Sequence, residues 1–226
     1  LDQHPDYENR IESIKANYAG MITMVDTWFG KLIDTIDRLR LREQTMVIFL
    51  SDHGTNFADN AQRIMGKPAD YMYPGTMCIP MMVRHPSGAG AGTTCSEFVY
   101  TTDVPATVGT MSNTAPVGGL DGQSLLPLVE GRSGFNSRDY LTCRYGNSVW
   151  FKDHQTWFFS DVNFENPSVF DLEADPLCWQ NIASQAQDRV ERAKDHILDD
   201  AGGVLLNYTR TATTDALGRP EFSGDR

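Results

Sequence analysis

Four consecutive residues concentrate the chemistry of this chain: Ser51, Asp52, His53 and Gly54, which close the apolar run TMVIFLS (Thr45 to Ser51) and open the loop after it. In open α/β sheets ligands bind beyond the carboxyl ends of the strands, so Asp52 and His53 stand where chemistry is usually done. An adjacent carboxylate and imidazole can both turn toward one cation. Carboxylate oxygen suits Ca²⁺, Mg²⁺ and Mn²⁺, while imidazole draws the choice toward Mn²⁺ or Zn²⁺. Gly54 lets the backbone turn sharply beside them. Asp52 and His53 are therefore the candidate metal ligands. Lys67, on a loop returning to a strand, is the candidate catalytic residue, because its ammonium can neutralise a tetrahedral oxyanion or the charge that develops in a transition state.

These side chains need elements to hold them. Apolar residues at Ile14, Tyr18, Met21, Val25, Phe29, Leu32, Ile36 and Leu39 recur in steps of three and four, which predicts a long amphipathic helix. TMVIFLS follows and reads as a strand buried on both faces, as in a parallel sheet flanked by helices. MCIPMMVR (Met77 to Arg84) predicts a second buried strand with Pro80 at an edge or bulge. SGAGAG (Ser87 to Gly92) is a flexible loop and not a dinucleotide fingerprint, since strand residues (Ser96 to Thr101) are expected after it instead of a helix. Asp103 is placed as the N-cap of a helix over Val104 to Met111.

Past Gly131 the character changes. Tyr140 to Arg144, Ser148 to Asp153 and Thr156 to Ser160 are short aromatic-rich runs separated by turn residues, which predicts an antiparallel meander. Val190, Ala193, Ile197 and Ala201 mark one face of a final helix, and the tail from Thr209 to Arg226 lacks periodicity and is expected to be a surface strap or disordered. The expected fold class is α/β: a sheet flanked by helices over residues 1–131, then a small antiparallel sheet with a C-terminal helix over 132–226.

Composition narrows the function. With 226 residues, 40 % hydrophobic and 22 % charged, the chain has the make-up of a globular protein. A net charge of −11 argues against nucleic-acid binding, which relies on Lys and Arg. No apolar run is long enough to span a bilayer, and no signal peptide opens the sequence, so no membrane partner is expected and a cytoplasmic location is favoured. Leu1 instead of Met points to a processed chain or a partial reading frame. The four cysteines, Cys78, Cys95, Cys143 and Cys178, form no C-x-x-C pair, and buried thiols are expected, with disulfides left open.

In their order and spacing, YAGMITMVDTWFGKLIDTI, TMVIFLSDHG, GKPADYMYPGTMCIPMMVRHP, TTDVPATVGTM with LDGQSLLPLVEG, and VFDLEADPLCWQNIA resemble segments of the sulfatase family of the alkaline phosphatase superfamily. The resemblance runs from Tyr18 to Ala183 and is to the family's C-terminal portion only. It implies a sulfuric ester hydrolase acting on a small-molecule sulfate ester. It matches Asp52 and His53 to the family's second pair of metal ligands, and Lys67 to the lysine that contacts the sulfate group. It further implies a divalent cation, Ca²⁺ foremost with Mn²⁺ or Mg²⁺ as alternatives, and a formylglycine nucleophile made within a Cys/Ser-x-Pro-x-Arg motif. That motif is absent from this sequence. The formylglycine and the remaining metal ligands are therefore expected in a missing N-terminal half. The expected partners are that half or further copies of the chain, and the chain alone is expected to be inactive. Pro74, where relatives often carry Glu, and Cys78-Ile79-Pro80, where Arg-Val-Pro is common, depart from the family pattern. Phosphodiesterases, phosphonate hydrolases and phosphomutases of the superfamily stay open as alternatives, as does an inert remnant that acts only through association.

Overall fold

Helix α1 (Tyr7–Arg38) runs for 32 residues in the computed structural model, which describes residues 7–114, 119–206, 212–214 and 220–222. Its polar hydroxyls are satisfied inside the helix, with Thr23, Thr27 and Thr35 donating to the carbonyls of Ala19, Thr23 and Lys31. The helix stops where Arg40 adopts a left-handed φ of 58°. The amide of Leu41 then reaches back to the carbonyl of Ile36 at 3.0 Å, so an orphan carbonyl of the last turn is capped. The sequence-predicted apolar stripe is present, but Met21, Val25 and Leu32 on it are exposed.

The chain forms two compact units, Leu1–Ala58 with Gly75–Asp139, and Asp59–Pro74 with Tyr140–Arg226. In the first, a short 3₁₀ turn (Arg42–Gln44) leads from α1 into strand β1 (Val47–Leu50). The two-residue strand β2 (Asn56–Phe57) follows in this unit, and β3 (Met65–Gly66) belongs to the second. A helical turn, α2 (Pro74–Met77), precedes strand β4 (Met81–Arg84). β1 and β4 pair antiparallel, with Val47 opposite Arg84 and Leu50 opposite Met81.

This corrects the expectation of a doubly buried, parallel-type strand. All four residues of β1 are half-buried, and the neighbour is antiparallel. A continuous apolar run reports that a strand will be covered, but strand direction depends on which partner returns to it. The second strand also starts later than expected, directly after Pro80, because proline has no N–H to give to the ladder. α1 covers β1 through Phe29, whose ring lies 4.9 Å from that of Phe49, and Tyr18 meets Phe57 edge-on at 5.0 Å.

Ser96 to Thr101 form no strand; the segment is irregular and leads into helix α3 (Asp103–Met111). Asp103 is its first residue and not its N-cap. The Asp103 carboxylate, fully buried, accepts from the amides of Tyr100 and Gln123 at 2.8 Å each and pairs with Arg138. Helix α4 (Leu126–Glu130) ends at Gly131 in a left-handed conformation.

In the second unit β5 (Leu141–Tyr145), β6 (Ser148–Lys152), β7 (Thr156–Asp161) and β8 (Ser168–Asp171) form one antiparallel meander in chain order, followed by helix α5 (Gln187–Asp200). Gly146, at φ 59°, makes the two-residue link from β5 to β6. Alternation along the strands splits the aromatic residues between two faces. Val149, Phe151, Phe158 and Val169 face Val190, Ala193 and Ile197 of α5. On the other face Phe159 and Phe170 pack on Tyr73, and Trp157 donates from Nε1 to the carbonyl of Met72 at 2.8 Å. Covering both faces buries the apolar side chains of this sheet, each contributing about 1.5–3 kcal/mol on burial.

The observed architecture is the expected α/β one, with a sheet and flanking helices plus an antiparallel sheet and a C-terminal helix. Much of the tail from residue 209 lies outside the described residues; within it β9 (Ala212–Thr214) and β10 (Pro220–Phe222) pair antiparallel. Of the cysteines only Cys178 is buried, against the expectation of buried thiols generally. No described helix is long and apolar enough to cross a membrane.

Candidate active site

β1 delivers its carboxyl end into the Ser51–Gly54 turn, and local hydrogen bonds set the two chemical side chains. The Ser51 hydroxyl donates to the carbonyl of His53 at 2.8 Å, and the amide of His53 donates to Oδ1 of Asp52 at 2.9 Å. Nδ1 of His53 lies 2.8 Å from the carbonyl oxygen of Gly54. A carbonyl can only accept, so this contact holds the ring proton on Nδ1. Nε2 is left facing Oδ2 of Asp52 at 3.3 Å. A ring facing a carboxylate at that distance is an arrangement suited to proton transfer. The pair is open to solvent, with the Asp52 side chain 83 % and the His53 side chain 37 % exposed.

The structure thus brings Asp52 and His53 together in the first unit. Lys67 lies in the second unit, directly after β3, with an exposed side chain. Gly66 before it is left-handed, at φ 78°, and turns the chain there. The segment that carries Lys67 is tied down within its own unit. The Tyr73 hydroxyl donates to Oε1 of Gln62 at 2.7 Å, and Ser148 donates to Oδ1 of Asp70 at 2.8 Å. Burial, and next the neighbouring Cys178 thiol, push the Tyr73 phenol well above its ordinary range, so it stays neutral.

Two residues that the sequence did not single out, Thr76 and Asn56, shape the site: the Thr76 carbonyl accepts the Gly54 amide at 2.8 Å, and its hydroxyl accepts from Nδ2 of Asn56 at 2.7 Å. Asn56 is 1 % exposed. Two glycines make room for this approach. A Cβ on Gly54 would lie 2.0 Å from the Gly75 carbonyl oxygen, and one on Gly75 would lie 2.9 Å from Oδ1 of Asn56. Neither glycine has a positive φ, so both serve close backbone approach and not turning. A pair of glycines flanking the chemical loop was the available sequence signal.

The expected cation does not fit these residues. Among the described residues no group of three or more His, Cys, Asp and Glu side chains could hold a metal ion. Asp52 and His53 offer two donors, their remaining polar atoms are engaged by the turn itself, and calcium takes six to eight oxygens. The expectation of a Ca²⁺, Mn²⁺ or Mg²⁺ site completed by a formylglycine-bearing half is corrected accordingly.

Comparison with known proteins gives the family. The family model described as Sulfatase matches residues 2–114. Arylsulfatase K of Rattus norvegicus is 27 % identical over 221 residues, covering 92 % of this chain and 38 % of its own length. The multifunctional alkaline phosphatase superfamily protein PehA of Trinickia caryophylli is 27 % identical over 227 residues, with 89 % and 43 % covered. The crystal structure of a phosphonate monoester hydrolase of Agrobacterium radiobacter superposes with a TM-score of 0.74 at 23 % identity, covering 96 % of this chain and 46 % of that one. The chain spans about two fifths of the length of the curated relatives it matches. The match over residues 2–114 places the family's signature in the N-terminal half of this chain, which overturns the assignment to a C-terminal portion only. It also removes the ground for a missing N-terminal half as binding partner, because the sulfatase-like region is present here. Since the family match covers half of the chain and includes the Asp52–His53 turn, this chain belongs to the sulfatase family, within the alkaline phosphatase superfamily of hydrolases.

Proposed function

We propose that the protein acts on sulfuric esters, with Asp52 and His53 meeting the reacting group, and separately that Lys67 offers its ammonium to a sulfate anion. The observation that carries this reading is the turn after β1, where Nδ1 of His53 is fixed on the Gly54 carbonyl and Nε2 faces Asp52 at 3.3 Å, inside the family-matched region. A fixed ring with a carboxylate neighbour is suited to proton transfer at an ester oxygen, and an exposed ammonium is suited to a sulfate anion. A second reading is a broader ester hydrolase that also takes phosphonate or phosphate esters; the likeness to PehA, whose name is multifunctional, favours it.

Because the Cys/Ser-x-Pro-x-Arg motif is absent, binding is the first test. Titration of 4-nitrophenyl sulfate into the ¹⁵N-labelled chain is expected to shift the His53 and Gly54 amide signals, with weaker binding in His53→Ala and in Lys67→Ala. No shift at these residues overturns the proposal. Stronger shifts with 4-nitrophenyl methylphosphonate than with the sulfate select the second reading.

A further inference from the structure

The seam between the Ser51–Gly54 turn and residues 75–76 carries one more assignment. Gly54 is bonded on both of its backbone sides: its carbonyl takes Nδ1 of His53 at 2.8 Å, and its amide is held by the Thr76 carbonyl at 2.8 Å. The amide and the carbonyl of Gly54 lie in adjacent peptide planes that share its Cα, so holding the first narrows where the acceptor for His53 stands. Thr76 is itself held through its hydroxyl, which takes Nδ2 of Asn56 at 2.7 Å. Asn56 is 1 % exposed, and its Oδ1 has no hydrogen-bond partner among the described residues. A buried amide with one end unsatisfied has strong reason to keep the bond at its other end. Gly75, lacking a Cβ, lets the two segments of this seam approach closely: a Cβ there would lie 2.9 Å from Oδ1 of Asn56 and 3.1 Å from the Thr55 carbonyl oxygen.

From these contacts we infer that Thr76 is a positioning residue for His53, fixing the ring tautomer through Gly54. This rests on the proposed role of His53. The chain of contacts is Asn56 amide to Thr76 hydroxyl, Thr76 carbonyl to Gly54 amide, and Gly54 carbonyl to His53 Nδ1. Loss of the Thr76 hydroxyl frees both the Asn56 amide and the Thr76 main chain. Gly54 then loses its fixed orientation, and the proton on the neutral ring redistributes between Nδ1 and Nε2. Thr76→Ser keeps the hydroxyl and keeps the ring in place.

The test is the ¹⁵N spectrum of the His53 ring at a pH where the ring is neutral, with no ester present. In the unmodified chain the Nδ1–H form is expected to dominate. In Thr76→Val the ratio of Nδ1–H to Nε2–H is expected to fall about tenfold, the factor that corresponds to about one hydrogen bond. Thr76→Ser is expected to restore it. An unchanged ratio in a folded Thr76→Val chain overturns the assignment. Should that variant not fold, hydrogen exchange at Gly54 in the unmodified chain decides: protection of its amide supports the seam, and exchange at the rate of an open loop overturns it. Since no ester enters either measurement, failure here leaves the ester-binding test of His53 and Lys67 standing on its own result.

Discussion

Arg138 grips the carboxylate of Asp103 with both terminal nitrogens, Nη2 to Oδ1 at 2.7 Å and Nη1 to Oδ2 at 2.9 Å, while Asp103 is fully buried. The same Nη1 also donates to the Phe98 carbonyl at 3.0 Å, and the guanidinium lies over the Tyr100 ring at 5.0 Å. One arginine thus ties the start of α3 to the loops on either side of it.

Removing that arginine leaves a buried carboxylate without its counter-charge. Arg138→Met is expected to destabilise the first unit by about 3–5 kcal/mol. Arg138→Lys is expected to recover only part of the loss, since a single ammonium cannot span both oxygens. Urea denaturation followed by tryptophan fluorescence and far-ultraviolet circular dichroism measures both; equal stability of Met and unmodified chains would show the pair to be idle.

In the second unit, Phe158 sits at 0 % exposure within the cluster that includes Val190, Ala193 and Ile197. Phe158→Ala is expected to cost about 3–5 kcal/mol, the transfer loss plus the cavity left behind. A shift in denaturation midpoint without change of slope checks that stability, and not the unfolded state, has changed.

Asp171 gives a pH dependence with a definite sign. Its carboxylate takes the amides of Ala174 and Glu173 and a 2.9 Å contact from Arg189, which together hold its pKa below the usual carboxylate value. A lowered folded-state pKa means stability that is fully present above the unfolded carboxylate pKa and lost as pH falls through the folded one. Asp171→Asn is expected to flatten the acid limb of the stability profile while changing little of its shape at neutral pH. Denaturation midpoints collected from neutral pH downward test this, and an acid limb as steep in the variant as in the parent contradicts it.

Gly54→Ala places a methyl group 2.0 Å from the Gly75 carbonyl oxygen, so one backbone must move. The bond from the Gly54 amide to Thr76 is expected to break, with faster amide exchange at 54 and weaker binding of 4-nitrophenyl sulfate. Unaltered exchange at that amide would mean that the seam tolerates a side chain.

With two donor side chains at the turn, calcium is expected to bind this chain without a tight, stoichiometric site. Calorimetric titration reads this directly. Tight binding that disappears in Asp52→Ala would reveal ligands beyond Asp52 and His53.

Much of this protein was legible before folding. The period of the apolar residues specified α1 and α5, the alternating aromatic runs with their turn residues specified the β5–β7 meander, and an apolar strand ending in Asp-His-Gly marked the turn that holds Asp52 and His53. These are local properties, set by residue spacing and by backbone preferences within a few positions. What the spacing did not contain was decided by partners distant in sequence. β1 runs antiparallel to β4 because residues 81–84 return beside it, and no run of apolar residues encodes that direction. Asp103 became a buried carboxylate instead of a helix cap because Arg138, thirty-five residues on, arrives to neutralise it. The orientation of His53 depends on Thr76, twenty positions beyond Asn56, through two backbone segments close enough to exclude a Cβ. Lys67, adjacent to β3, belongs to the second unit together with Met72 and Tyr73, which pack on its sheet through contacts distant in sequence.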